Sequence, residues 1–263
     1  MDNIFLLRIA ASFFIAGIWI AAATLLTERL GSKIGGMITN LPSNILVSFL
    51  FIALVQDPQF VVDAVPGVPI GMALNTLFLF FFIILVKRGI LLSSVFSLLV
   101  WLVFAVLVSL VELENLIMNT IIYILITAAA FSILEKVIKI PSAEKSAKKY
   151  SLSQILIRAA FAGAVVASVI VMSKFFNPYV TGIISTFPAV LLSTMIILSI
   201  NQNAEFAQAS GKILVLSSSN IIIYVIAVYF TYTSLGLVLG TVISFVCAFI
   251  WVWLFLPLVR RLA

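Results

Sequence analysis

No histidine occurs in the 263 residues, and cysteine occurs once, at Cys247. Intrachain disulfides are therefore excluded, as are Cys/His metal sites and imidazole acid–base chemistry. Charge is scarce as well: Asp, Glu, Lys and Arg together make up 9% of the chain, too few for a soluble globular protein. No Pro-, Gly- or Gln-rich tract and no large polar domain interrupts it. No carboxylate falls in the middle of an apolar run. Asp63 and Glu135 come nearest, each close to the end of one, so exporters built on a membrane-buried carboxylate are poor templates. Without paired carboxylates, and with neither Cys247 nor any serine beside a base, the sequence is not that of an enzyme. It calls for no metal and no cofactor.

What fills the chain is apolar residue, 64% of it, at a mean hydropathy of +1.31. Runs of about 20 such residues recur throughout, the length that crosses roughly 30 Å of hydrocarbon. This is the pattern of an all-α polytopic membrane protein; a β-barrel would show short alternating strands. Hydropathy predicts nine transmembrane helices, at about 4–26, 34–55, 61–86, 90–111, 116–137, 155–175, 180–200, 213–232 and 235–257. The start, MDNIFLL, has neither the basic n-region nor the cleavage site of a signal peptide, so the first span is expected to be retained.

Basic residues set the orientation. With the N-terminus outside, Arg29, Lys33, Lys87, Arg88, Lys136, Lys139, Lys145, Lys148, Lys149, Lys212, Arg260 and Arg261 all fall in cytoplasmic loops. Only Lys174 falls outside, together with Asp2, Asp57, Asp63, Glu112 and Glu114. The positive-inside rule thus predicts a multi-pass membrane protein with its N-terminus outside and its C-terminus on the cytoplasmic side. The net charge of +6 sits beside the spans, which argues against nucleic acid as a partner. The segment 139–154 is the longest polar stretch, and its lysines suit topology determination or contact with anionic lipid headgroups.

The chain repeats itself. Gly17, Gly36, Ile38 and Pro42 recur as Gly163, Gly182, Ile184 and Pro188 at one constant offset, and each of Gly17 and Gly163 opens a small-xxx-small pair. Asn75 and Asn220 match with one residue gapped. Residues 1–112 and 155–263 read as two copies of a four-helix unit, and 113–154 as a connecting helix with a basic loop. Five spans separate the two starts. An odd number inverts the second copy across the bilayer, the arrangement of many secondary transporters.

The stretch TGIISTFPAVLL at 181–192, Arg158 ahead of it and NQNAEFAQASGKILVLSSSN after it resemble the GlpM-like family of small four-span inner-membrane proteins. The resemblance covers about 100 residues of the second copy well and the first more loosely. It implies a membrane role linked to envelope polysaccharide production and carries no substrate with it. Arg8 precedes Gly36 by one helical turn more than Arg158 precedes Gly182.

Within these copies, two polar interruptions stand out: GGMITNLPSNIL at 35–46 and TGIISTFPAVLL at 181–192. A proline removes a backbone donor and clashes with the carbonyl four residues before it, so Pro42 and Pro188 should kink or break their spans. Thr39, Asn40, Ser43 and Asn44 in the first copy, and Ser185 and Thr186 in the second, can satisfy the freed carbonyls. Gly36 and Gly182 admit a neighbouring backbone. Such a break is either a packing kink with local repair or a discontinuous helix lining a substrate cavity. On the second reading the candidate substrate-binding set is Gly36, Thr39, Asn40, Pro42, Asn44, Asn75, Arg158, Gly182, Ser185, Thr186, Pro188 and Asn220. The expected function is a secondary transporter or flippase-like carrier of a small or amphiphilic, anionic solute; the rival is a non-transporting accessory subunit of envelope biosynthesis. Substrate, coupling ion, direction and any homo-oligomer are left open by the sequence.

Overall fold

The computed structural model of the chain describes residues 3–39, 41–141 and 150–262, without the side chains of 26–39, 255–256 and 258–262. The described residues are all-α, with no strand among them. Twelve helices run α1 (Asn3–Thr39), α2 (Ser43–Val55), α3 (Pro58–Ala64), α4 (Gly67–Leu85), α5 (Ile90–Ser109), α6 (Leu116–Ser132), α7 (Leu152–Met172), α8 (Pro178–Ser185), α9 (Ala189–Asn201), α10 (Ala204–Ser217), α11 (Asn220–Leu235) and α12 (Leu237–Leu262). Among them are eight helical segments long and apolar enough to cross a membrane, and α2 is a ninth, shorter apolar helix. Many large apolar side chains, such as Leu91, Leu110 and Ile117, point outward, as they do in lipid.

Helix starts are written into the sequence by short polar side chains. Asp57 and Asn203 hold the same place in the two copies, both in extended backbone, and each accepts from the amide three residues on, Phe60 and Phe206, at 2.7 Å. Asn177 caps α8 with Pro178 at its first position, and Ser151 with Gln154 forms a capping box on α7. Gly89 and Gly236 open the last helix of each copy at φ 139° and 79°, where a side chain would be strained.

The expected boundary after residue 26 is not where α1 ends. It runs on as far as Thr39, 37 residues in all from Asn3 and about 55 Å of helix. The polar stretch TERLGSK had the look of a loop, but most of it is good helix former. A second difference lies in the third helix of each copy. It is interrupted at Val65–Pro66 in the first and at Ser218–Ser219 in the second, so the copies break at different places there.

The inversion of the copies is visible where α1 packs on α7. A Cβ on Gly17 would lie 3.1 Å from the carbonyl oxygen of Ala159, and one on Gly163 2.5 Å from that of Phe13. As the residue number rises on one helix it falls on the other, so the pair is antiparallel. Phe13 and Ala159 are themselves equivalent positions, so the contact is reciprocal, as a two-fold axis across the helices requires.

The connecting helix α6 holds both copies. Asn119 donates to the Pro66 carbonyl at 2.8 Å, and Thr127 meets Thr76 at 3.1 Å, both on the first copy. Its end turns π-helical over Ile133–Val137, where Glu135 receives Lys212 of the second copy at 2.8 Å. Lys212, expected in a cytoplasmic loop, is instead 1% exposed inside α10 and also donates to the Ile140 carbonyl at 2.8 Å. Burial of a lysine is tolerated because carboxylate and carbonyl together receive it. A sequence count of loop charges cannot foresee that pairing.

Candidate functional site between two broken helices

Both prolines start helices. Pro42 lies at φ −76°, ψ 52° and Pro188 at φ −77°, ψ 40°. The following amides close inverse γ-turns around them, Ser43 to Leu41 at 2.7 Å and Ala189 to Phe187 at 2.8 Å. A new helix then begins at once, α2 in one copy and α9 in the other. Neither start carries a side-chain cap, so both present the positive end of a helix dipole.

The break in the second copy is largely repaired. Ser185 Oγ donates to the Gly182 carbonyl and Thr186 Oγ1 to the Ile183 carbonyl, each at 2.7 Å, and the Phe187 amide reaches Ile184 at 3.0 Å. Asn75 Nδ2, from the other copy, donates to the Thr186 carbonyl at 2.8 Å and its Oδ1 accepts from Trp101 Nε1 at 2.9 Å. The Trp101 ring then stacks edge-on against Phe187, with centroids 5.3 Å apart. Three glycines bring these backbones together. A Cβ would lie 2.2 Å from the Tyr179 oxygen at Gly67, 2.2 Å from Thr186 Oγ1 at Gly71, and 2.0 Å from the Ala64 oxygen at Gly182.

Between the two breaks lies a cavity of about 110 Å³. Pro42, Asn44, Asn75, Ser185, Thr186, Pro188 and Asn220 line it, with apolar walls from Met72, Leu191 and Leu214. Seven of the expected residues thus meet in one place. Gly182 serves the helix contact beside it. Asn40, and the surroundings of Gly36 and Thr39, lie outside the described residues.

Arg158 does not join this cavity. It is 3% exposed, beside the ring of Tyr150, and lines a separate groove between α7 and α9. Arg158, expected among the substrate-binding residues, is therefore placed apart from the other members of that set, in the groove beside α9. Nor is Arg8 its counterpart. Arg8 Nη1 donates to the Leu54 carbonyl at the end of α2, and the residue in the same place in the second copy is Gln154. Gln154 makes the matching tie to the end of α9, exchanging hydrogen bonds with Asn201 at 2.8 and 3.0 Å.

Asn220 is the unusual member of the cavity. It is 1% exposed, yet neither its Nδ2 nor its Oδ1 has a partner among the described residues, and Asn44 Oδ1 is also unpaired. Each buried polar group left so costs about 1–3 kcal/mol. Such groups call for a partner brought from outside, a water or a ligand.

No curated protein and no solved structure matches the chain. A family model described as "Protein of unknown function (DUF3147)" matches it twice, over residues 9–114 and 155–259. Those two matches contain the two proline breaks, one in each, and together they cover most of the sequence, so the chain belongs to this family, with the family's unit present in duplicate.

Proposed function

We propose that the protein is a secondary carrier of a small anionic solute, and that the cavity between Pro42 and Pro188 is its binding site. The observation that supports this best is the unpaired Asn220 amide, buried where the uncapped starts of α2 and α9 converge. Helix N-termini at the interface of inverted repeats are a recurring way to hold an anionic substrate group near the bilayer midplane. At about 110 Å³ the cavity is smaller than the roughly 300–1,000 Å³ of a typical ligand pocket, so its occupant in this conformation is small. The reciprocal seam of Gly17 and Gly163 gives the copies a common axis about which one can rock against the other. The carrier works in the cytoplasmic membrane of a prokaryote, N-terminus outside and C-terminus inside, and is related to the GlpM-like proteins.

A second reading rests on a different feature. An apolar groove of about 600 Å³ runs along α5, α7 and α8, lined by Trp101, Leu102, Ala105, Val169, Met172 and Phe187 among others. A non-transporting accessory subunit of envelope biosynthesis would seat a partner helix there.

One experiment separates the two. Thr194 lines the cavity. On a Cys247→Ser background, Thr194→Cys should react with a membrane-impermeant thiol reagent from either side of oriented vesicles, because a carrier exposes its site alternately. The flanking controls Glu114→Cys and Lys139→Cys should react from outside and inside respectively. Protection of position 194 from both sides would leave the accessory reading in place.

A further inference from the structure

The groove that holds Arg158 has a composition of its own. It encloses about 270 Å³ between α7 and α9, and its walls are Ile157, Phe161, Leu192, Ile196, Ile197 and Ile200. Two other polar side chains line it, and both are spoken for: Gln154 is paired with Asn201, and Ser193 Oγ donates to the Val190 carbonyl at 3.1 Å. Arg158 is different. Its Nε is buried and without a hydrogen-bond partner, and the ion pairs of the described residues are Lys87–Glu205 and Lys212–Glu135, neither of which involves it. The guanidinium carbon lies 5.3 Å from the centre of the Tyr150 ring, so the side chain reaches back past the start of α7, toward the membrane surface.

The fold does not require a charge here. In the first copy the same place is held by Ser12, fully buried and bonded to its own helix through the Ile9 carbonyl at 2.8 Å. An arginine kept in hydrocarbon costs about 2.5–3.5 kcal/mol at mid-bilayer and less near the surface, so its retention with no carboxylate beside it among the described residues calls for a ligand. We infer that the α7–α9 groove binds one anionic phospholipid, its phosphate paired with Arg158 and an acyl chain laid along Phe161, Leu192 and Ile196. The cation selects the charge and the apolar walls select a lipid over a free anion. Lys145, Lys148 and Lys149 precede α7 in the sequence, and basic stretches beside a membrane span attract anionic lipid. This site is separate from the proline cavity and stands whether or not the protein is a carrier.

Native mass spectrometry of the purified full chain tests it, with phosphatidylglycerol and phosphatidylcholine of identical acyl chains as probes. The wild type should retain phosphatidylglycerol at least about fivefold better, the worth of one basic residue at an anionic surface. Arg158→Gln should bring the two lipids to parity, and Arg158→Lys should keep most of the preference. Ile196→Trp, which fills the groove and leaves the arginine in place, should lower retention of phosphatidylglycerol, and it keeps the test decisive if Arg158→Gln does not fold. Equal retention by the wild type overturns the proposal, as does unchanged retention in Ile196→Trp. So does a preference that survives Arg158→Gln and disappears in a Lys145→Gln, Lys148→Gln, Lys149→Gln triple variant. Displacement of the lipid by millimolar inorganic phosphate would likewise overturn it, in favour of a free-anion site.

Discussion

Gly17 and Gly163 are one position seen twice, each pressed against the backbone of the other copy. The fit is not equally tight. A methyl at 163 would sit 2.5 Å from the Phe13 carbonyl oxygen, a distance at which backbone must move, whereas one at 17 would sit 3.1 Å from that of Ala159. Replacing a mid-helix glycine by alanine gains about 1 kcal/mol of helix propensity, and overpacking costs about 1–3 kcal/mol. Gly17→Ala should therefore leave thermal unfolding in detergent near that of wild type, and Gly163→Ala should lower the midpoint. Equal effects would mean that the reciprocal seam is not a close contact.

Asn75 and Asn220 make a second matched pair, and their surroundings predict opposite behaviour. Asn75 is satisfied on both sides, so Asn75→Leu strands the Thr186 carbonyl and the Trp101 indole and should cost about 2–4 kcal/mol. Asn220→Leu strands nothing, because the amide has no partner among the described residues; stability should be unchanged or raised. Function, read as two-sided access to position 194 or as the phenotype of deletion, should nevertheless fail in Asn220→Leu. A large loss of stability there would show that the amide serves packing.

Much of this was legible beforehand, and for identifiable reasons. Apolar run length marks the spans because the bilayer imposes it, and Pro42 and Pro188 mark breaks because a proline acts locally. The meeting of Asn75 with the break at Thr186 was not legible, since it joins residues 111 apart in sequence through helix packing. The inequivalence of Arg8 and Arg158 was legible, because the constant offset of the repeat pairs Arg8 with Gln154 and Arg158 with Ser12. Lys212 counted as a loop charge because its partner, Glu135, lies on the connector, outside either copy.

The Lys212–Glu135 pair should respond asymmetrically. Lys212 is 2% exposed by side chain and Glu135 39%. Removing the carboxylate with Glu135→Gln leaves a buried ammonium held by the Ile140 carbonyl, at a cost of about 2–3 kcal/mol, below the ~3–5 kcal/mol of a fully buried pair. Lys212→Met instead leaves a carboxylate that water can reach, and should cost less. The double variant should recover most of the loss from Glu135→Gln. Unfolding midpoints of the three variants decide this, and equal losses from the two single changes would mean that burial of Lys212 is not what the pair compensates.

The prolines provide the closing test of the cavity. Pro188 sits in a break where Ser185, Thr186 and Asn75 already satisfy the carbonyls of Gly182, Ile183 and Thr186, and none of these bonds needs the proline. Alanine at 188 restores an N–H and relieves the ring clash, which lets α8 and α9 approach a continuous helix. That would swing the start of α9 away from Asn220 and remove one of the two helix ends facing the cavity. Pro188→Ala should therefore keep or raise the unfolding midpoint while reducing thiol access at position 194. Pro42→Ala should do the same through α2, where Asn44 already stands unpaired at the cavity wall. If both variants remain as accessible as wild type and the deletion phenotype is complemented, the breaks are packing devices, and the binding site must be sought elsewhere in the chain.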